Sequence, residues 1–81
     1  MEPEEKLLNR IVVNPKVMVG KPVIKGTRIS VDAIIRRLAE SMSLREILEE
    51  YPNLEEEDVK AALEYAAMVL AGEEVVPIVV E

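Results

Sequence analysis

Four consecutive acids, Glu55-Glu56-Glu57-Asp58, are the densest run of titratable side chains in the sequence. Carboxylates can hold divalent metals or move protons, but a two-metal site needs them to converge from different elements around one cavity. Consecutive residues of a helix point in different directions, so this run is badly arranged for that task. The sequence has no histidine and no cysteine, which removes the commonest ligands of zinc, iron and copper and any disulfide. Two tyrosines and a few hydroxyls offer no convincing nucleophile or general base. The expectation is a protein that is not an enzyme and needs neither metal nor cofactor.

Basic chemistry is concentrated elsewhere. Lys21, Lys25 and Arg28 lie on a turn-rich stretch whose exposed backbone N–H groups could help to grip phosphates. The stretch is not a phosphate-binding P-loop, which needs GxxxxGK[ST] between a strand and a helix. It also has a purely structural explanation, with Gly20 and Gly26 making turns, Pro22 adding stiffness and Arg28 bridging a carboxylate. The net charge of −6 conceals a division along the chain. From Met1 to Arg45 nine Lys/Arg stand against five acids, and from Glu46 to Glu81 one lysine stands against eleven. Such a chain offers a basic surface to one partner and an acidic surface to another.

The elements that must position these groups follow from the apolar pattern. Residues 7–30 read as short strands: Ile11-Val12-Val13 stops at Asn14-Pro15, and Val17-Met18-Val19 stops at Gly20-Lys21-Pro22. Val23-Ile24 and Thr27-Arg28-Ile29 flank Lys25-Gly26, a tight-turn dipeptide. Ser30 is an N-cap for a first helix, with Val31, Ile34, Ile35, Leu38 and Met42 on one face. Ser43-Leu44-Arg45-Glu46 is a capping box, so a second helix of about two turns starts there and runs to Tyr51-Pro52. A third helix follows Asn53-Leu54, with Val59, Ala62, Leu63, Ala66 and Leu70 as its expected core stripe and Gly72 as its left-handed C-cap. Three helices joined by tight turns, the middle one short, outline a helix-turn-helix bundle.

That third helix is apolar on more than one face. Ala61, Tyr65, Met68 and Val69 lie beside or opposite the expected core stripe and are the predicted dimer contact. After Gly72, the run Val75-Val76-Pro77-Ile78-Val79-Val80 is β-rich, and Pro77 confines it to an edge strand or an arm. Two readings stand: the tail pairs with Ile11–Val13 of its own or a second chain, or Val75, Val76, Ile78, Val79 and Val80 bind a different protein. No apolar run is long enough to span a membrane, and the acidic N-terminus lacks the pattern of a secretory signal. A cytoplasmic protein is expected, and so small a chain gains stability by associating.

The segment from Asn14 to Ile29, with Gly20-Lys21-Pro22-Val23-Ile24-Lys25-Gly26-Thr27-Arg28-Ile29 at its centre, is distinctive. Together with Leu44–Leu54 and Asp58–Ala66 it resembles the domain of unknown function 433 family, over about Ile11 to Ala67. Members of that family look like homeodomain-like helix-turn-helix proteins and are similar to VapB-type antitoxins. The resemblance implies an antitoxin-like role with a PIN-like ribonuclease toxin as partner, and binding of operator DNA. The tail beyond Gly72 lies outside the shared part. A helix-turn-helix reads the major groove with the start of its last helix, and here Glu55 to Asp58 would repel phosphate. DNA contacts are therefore expected from Lys21, Lys25, Arg28 and Arg37, Arg36 being paired with Asp32 and Glu40.

The sequence thus predicts one domain over 1–81, mainly α: short strands and turns over 11–29, a three-helix homeodomain-like bundle over 30–71, and an extended arm over 73–81. Its expected function is toxin neutralisation by a dimer, with or without DNA binding. The alternative is a dimeric protein–protein interaction module with neither toxin nor DNA.

Overall fold

The computed structural model describes residues 4–16, 20–72 and 78–79. The elements run α1 (Glu4–Leu8), β1 (Ile11–Val13), β2 (Pro22–Ile24), α2 (Val31–Ala39), α3 (Leu44–Glu50), α4 (Glu56–Leu70) and β3 (Ile78–Val79). The molecule is mainly helical, and α2, α3 and α4 are the three helices read from the sequence. Helix α1 is an addition. The strand region was expected to begin at Leu7, but Leu7 and Leu8 close α1, and Leu7 packs partly buried on the core. Glu, Lys and Leu are good helix formers, so the signal was present in Glu4-Glu5-Lys6-Leu7-Leu8.

β1 and β2 pair antiparallel, Ile11 opposite Ile24 and Val13 opposite Pro22. The predicted turn at Lys25-Gly26 is present: Thr27 N–H donates to Ile24 O at 3.0 Å, and Gly26 takes φ +81°. A non-glycine residue there would carry the left-handed penalty. Ile29 O accepts from Ile24 N–H at 2.9 Å, so the two flanks do meet, though residues 27–29 do not form a regular strand. Val17-Met18-Val19, expected as a strand, lies outside the described residues. Ile78–Val79 pairs parallel with Val12–Val13, giving the sheet order β2-β1-β3.

The helix ends obey the chemistry of their caps. Ser30 Oγ accepts from Ala33 N–H at 3.3 Å, and Ser43 and Glu46 make the reciprocal capping box at 3.1 and 2.9 Å. α2 ends in a tight turn in which Ser41 N–H donates to Leu38 O and Met42 N–H to Arg37 O. That pattern requires a left-handed residue, usually glycine, and Ser41 fills it with φ +71°. The turn sends α3 off immediately, so α2 and α3 both lean on α4.

The core comprises Ile11, Ile24, Val31, Ile34, Ile47, Leu54, Val59, Ala61 and Ala62, four of them fully buried isoleucines. The phase of α4 differs from the predicted one. Ala61 and Ala62 face inward with Asp58 and Val59, and Tyr65 packs partly buried beside them. Leu63 and Leu70, assigned to the core stripe, are 46% and 87% exposed. Alanines on the inner face let α4 approach α1, α2 and β1 closely, which outweighs the extra area a leucine would bury. Ala61 is therefore an intrachain core residue and not a dimer contact.

Candidate protein-binding surfaces

The acidic run resolves into separate roles once α4 is placed. Asp58 is buried, and its two oxygens are both used: Oδ2 accepts from Glu55 N–H at 2.8 Å and Oδ1 from Arg10 at 3.0 Å. Arg10 also reaches Glu55 at 3.4 Å, tying the start of β1 to the start of α4. Glu56 pairs loosely with Lys60 at 3.8 Å. The four carboxylates thus diverge, as consecutive helical residues must, and no metal cage is formed by them. Sequence reading missed Arg10. The signal available was a cation beside β1 in a chain with one inward-facing acid, but which acid turned inward could not be read without the phase of α4.

The other acids of α3 and of the first turn of α4 lie toward solvent. Glu46, Glu49 and Glu50 on α3 and Glu55 and Glu56 at the start of α4 are exposed, and Glu57 is half-buried. Arg45 and Lys60 are the only cations on these two segments, and each contacts a glutamate at the outer limit of pairing, 3.9 and 3.8 Å. Exposed pairs of that length contribute little, so Glu46, Glu49, Glu56 and Glu57 keep their negative potential, whereas Glu50 is held by Arg37 at 2.9 Å and Glu55 by Arg10 at 3.4 Å. Capping holds Glu46 in place. A hydrogen bond from the Ser43 backbone N–H, then one from its hydroxyl, keeps the Glu46 carboxyl below the usual glutamate range.

The predicted DNA-binding cations differ in how far other side chains engage them. Lys21 pairs with Asp32 at 3.5 Å. Arg36 reaches the same carboxylate at 3.6 Å, as expected. Arg37, expected to be the available arginine, is the most engaged of the set. It donates to Tyr51 Oη at 3.4 Å, to Glu40 at 3.2 Å and to Glu50 at 2.9 Å, bridging α2 to α3. Those contacts, the Tyr51 hydrogen bond foremost, raise its pKa still further and hold it protonated. Lys25 and Arg28 are exposed on the turn after β2. Asp32 is held below the usual aspartate range, first by a hydrogen bond with Ser30 and then by Lys21 and Arg36.

A second surface is apolar. A groove of about 520 Å³ runs between α2 and α4, floored by Val31, Ile35, Tyr65, Ala66, Val69 and Leu70 and rimmed by Lys21, Asp32 and Arg36. Val69 is 52% exposed. Of the predicted dimer contact, Tyr65 and Val69 therefore line this groove, Met68 is half-buried, and Ala61 is inside. Of the predicted partner-binding tail, Ile78 and Val79 form β3 against the chain's own β1; Val75, Val76 and Val80 lie outside the described residues.

Residues 11–66 match the family model described as protein of unknown function (DUF433). The chain belongs to this family. The matched span begins at β1 and ends inside α4, so it contains the Lys25-Gly26 turn, both serine-capped helices and Asp58, while Asp58's partner Arg10 lies one residue before it. A crystal structure of a DUF433 member from Anabaena variabilis is similar at a TM-score of 0.74 and 31% identity, covering 84% of this chain and 67% of that one. A protein of Archaeoglobus fulgidus named only "Uncharacterized protein" is 72% identical over 29 residues, 36% of this chain and 81% of its own length. Among the described residues no helix is long and apolar enough to cross a membrane.

Proposed function

We propose that this DUF433 protein is an antitoxin-like binding module, not an enzyme, of helix-turn-helix and homeodomain-like kind, and that its partner is a cationic protein such as a PIN-like ribonuclease. The observation that carries the reading is the set of acids on α3 and the first turn of α4, where Glu46, Glu49, Glu50, Glu55, Glu56 and Glu57 sit on capped helices. A surface that binds RNA must be basic, and a fixed array of carboxylates complements it and steers association. Inhibition would follow from covering the cations that hold the RNA backbone. The same acids disfavour DNA at the start of α4, and intrachain pairing of Lys21 and Arg37 leaves Lys25 and Arg28 as the members of that set with no ion pair among the described residues, for any operator contact. Titration of the chain into a purified PIN-like ribonuclease encoded beside it, followed by hydrolysis of a fluorogenic RNA, tests the proposal. Activity is expected to vanish near one equivalent. Full activity at tenfold excess would overturn it.

The runner-up, a dimeric interaction module without toxin or DNA, draws on the apolar groove and the exposed leucines of α4.

A further inference from the structure

We infer that α4 is a two-fold dimer contact, in which the outward stripe Leu63-Ala66-Ala67-Leu70 of one copy packs antiparallel on the same stripe of a second copy. The four positions follow the i, i+3, i+4, i+7 spacing that puts them on one side of a helix. Leu63 and Leu70 are 46% and 87% exposed, and Ala67 is exposed between them. The pattern is large-small-small-large and reads the same in both directions about the midpoint between Ala66 and Ala67. An antiparallel copy related by a two-fold therefore places each leucine opposite the other copy's leucine level, with alanines at the crossing where the backbones come closest. A two-fold interface must be self-complementary in this way, and an unrelated partner imposes no such symmetry. The groove adjoins the stripe, since Ala66 and Leu70 belong to both, so the crossing also covers the groove's open edge.

The charges agree with this arrangement. In the antiparallel register Lys60 falls just beyond the second copy's Leu70, opposite the C-terminal turn of its α4. Exposed carbonyls and the negative end of the helix dipole lie there, and α4 has no basic residue of its own in that turn. The sequence adds Glu73-Glu74 after Gly72. Lys60 is the single base of the chain's acidic half, and its contact with Glu56 is long at 3.8 Å. Net charge of −6 per copy opposes association at low ionic strength, and salt relieves that repulsion without weakening an apolar stripe. Added salt should therefore tighten the dimer, whereas it should weaken the complex with a cationic partner. The two readings can fail separately.

The absence of cysteine makes the geometry testable with single substitutions in the full chain. Residues 67 of two copies would lie about one residue apart along the helix axis, whereas residues 63 would lie seven apart, about 10 Å at 1.5 Å per residue. Under mild oxidation Ala67→Cys should form a disulfide dimer; Leu63→Cys alone should not, but should cross-link when mixed with Leu70→Cys. Sedimentation equilibrium should show a dimer for the wild type in the micromolar range. Leu70→Glu should raise its dissociation constant at least tenfold while far-ultraviolet circular dichroism stays unchanged. A 9.1 kDa monomer at 100 µM, or ready cross-linking of Leu63→Cys to itself without that of Ala67→Cys, would overturn the inference.

Discussion

Removal of the Asp58 carboxylate should destabilise the fold far more than removal of any neighbouring acid. In Asp58→Ala the Glu55 N–H loses its 2.8 Å acceptor, a capping loss of about 1 kcal/mol. Arg10 loses a 3.0 Å charge-assisted bond, and with its side chain only 25% exposed it regains part of its solvation. Hydrogen bonds to charged groups contribute about 1.5–3 kcal/mol, and partial exposure argues for the lower half of that range. Together the loss should be about 2–3 kcal/mol, or roughly 10–15 °C in melting temperature for a domain of this size. Asp58→Asn separates the two effects, because its carbonyl can still cap Glu55 while the charge is gone; about 1–2 kcal/mol should be lost. Urea unfolding followed at 222 nm reads both variants. A change within about 0.5 kcal/mol for Asp58→Ala, the range of an ordinary surface substitution, would refute the reasoning.

Three further outcomes are expected. Ser41→Gly should stabilise by roughly 0.5–1 kcal/mol, because the left-handed penalty at φ +71° exceeds the entropy that glycine adds to the unfolded chain; a rise in the urea midpoint checks it. Tyr51→Phe should lower the urea midpoint and leave helix content intact, since it removes only the Arg37 hydrogen bond between α2 and α3. Asp32 and Glu46 are both depressed when folded, so their contribution is present above the ordinary carboxylate range near pH 4 and is lost as pH falls through their folded values. The urea midpoint should therefore drop on acidification below about pH 4, and Glu46→Gln should flatten that drop more than Ser43→Ala, which keeps the backbone N–H that acts first on Glu46.

Local chemistry made much of this fold legible. Ser30 and Ser43 announce their helices because a hydroxyl before an apolar run satisfies an otherwise unpaired N–H, and both serve as expected. Gly26 and Gly72 mark positive φ at the turn and at the end of α4. The phase of α4 was illegible because the helix carries apolar residues almost all round. Leucines at 63 and 70 promise more buried area than alanines at 61 and 62, yet close packing against three other elements selects the smaller residues. Ion-pair choice failed for a related reason. Arg37 has one acid near it along its own helix, and the Glu50 and Tyr51 that engage it come from α3, through a turn whose direction rests on Ser41. For the α3–α4 acids the sequence was a better guide, since a solvated run of glutamates on a capped helix start needs no tertiary information.

The central claim, recognition of a cationic protein through the α3–α4 acids, is tested most directly by calorimetric titration into the purified ribonuclease at several salt concentrations. The triple variant Glu49→Gln, Glu56→Gln and Glu57→Gln, which spares Asp58 and the Arg37 bridge, should bind at least tenfold more weakly than the wild type, and wild-type affinity should fall steadily from 50 to 300 mM salt. Equal affinity of the two proteins, with no dependence on salt, would contradict the account.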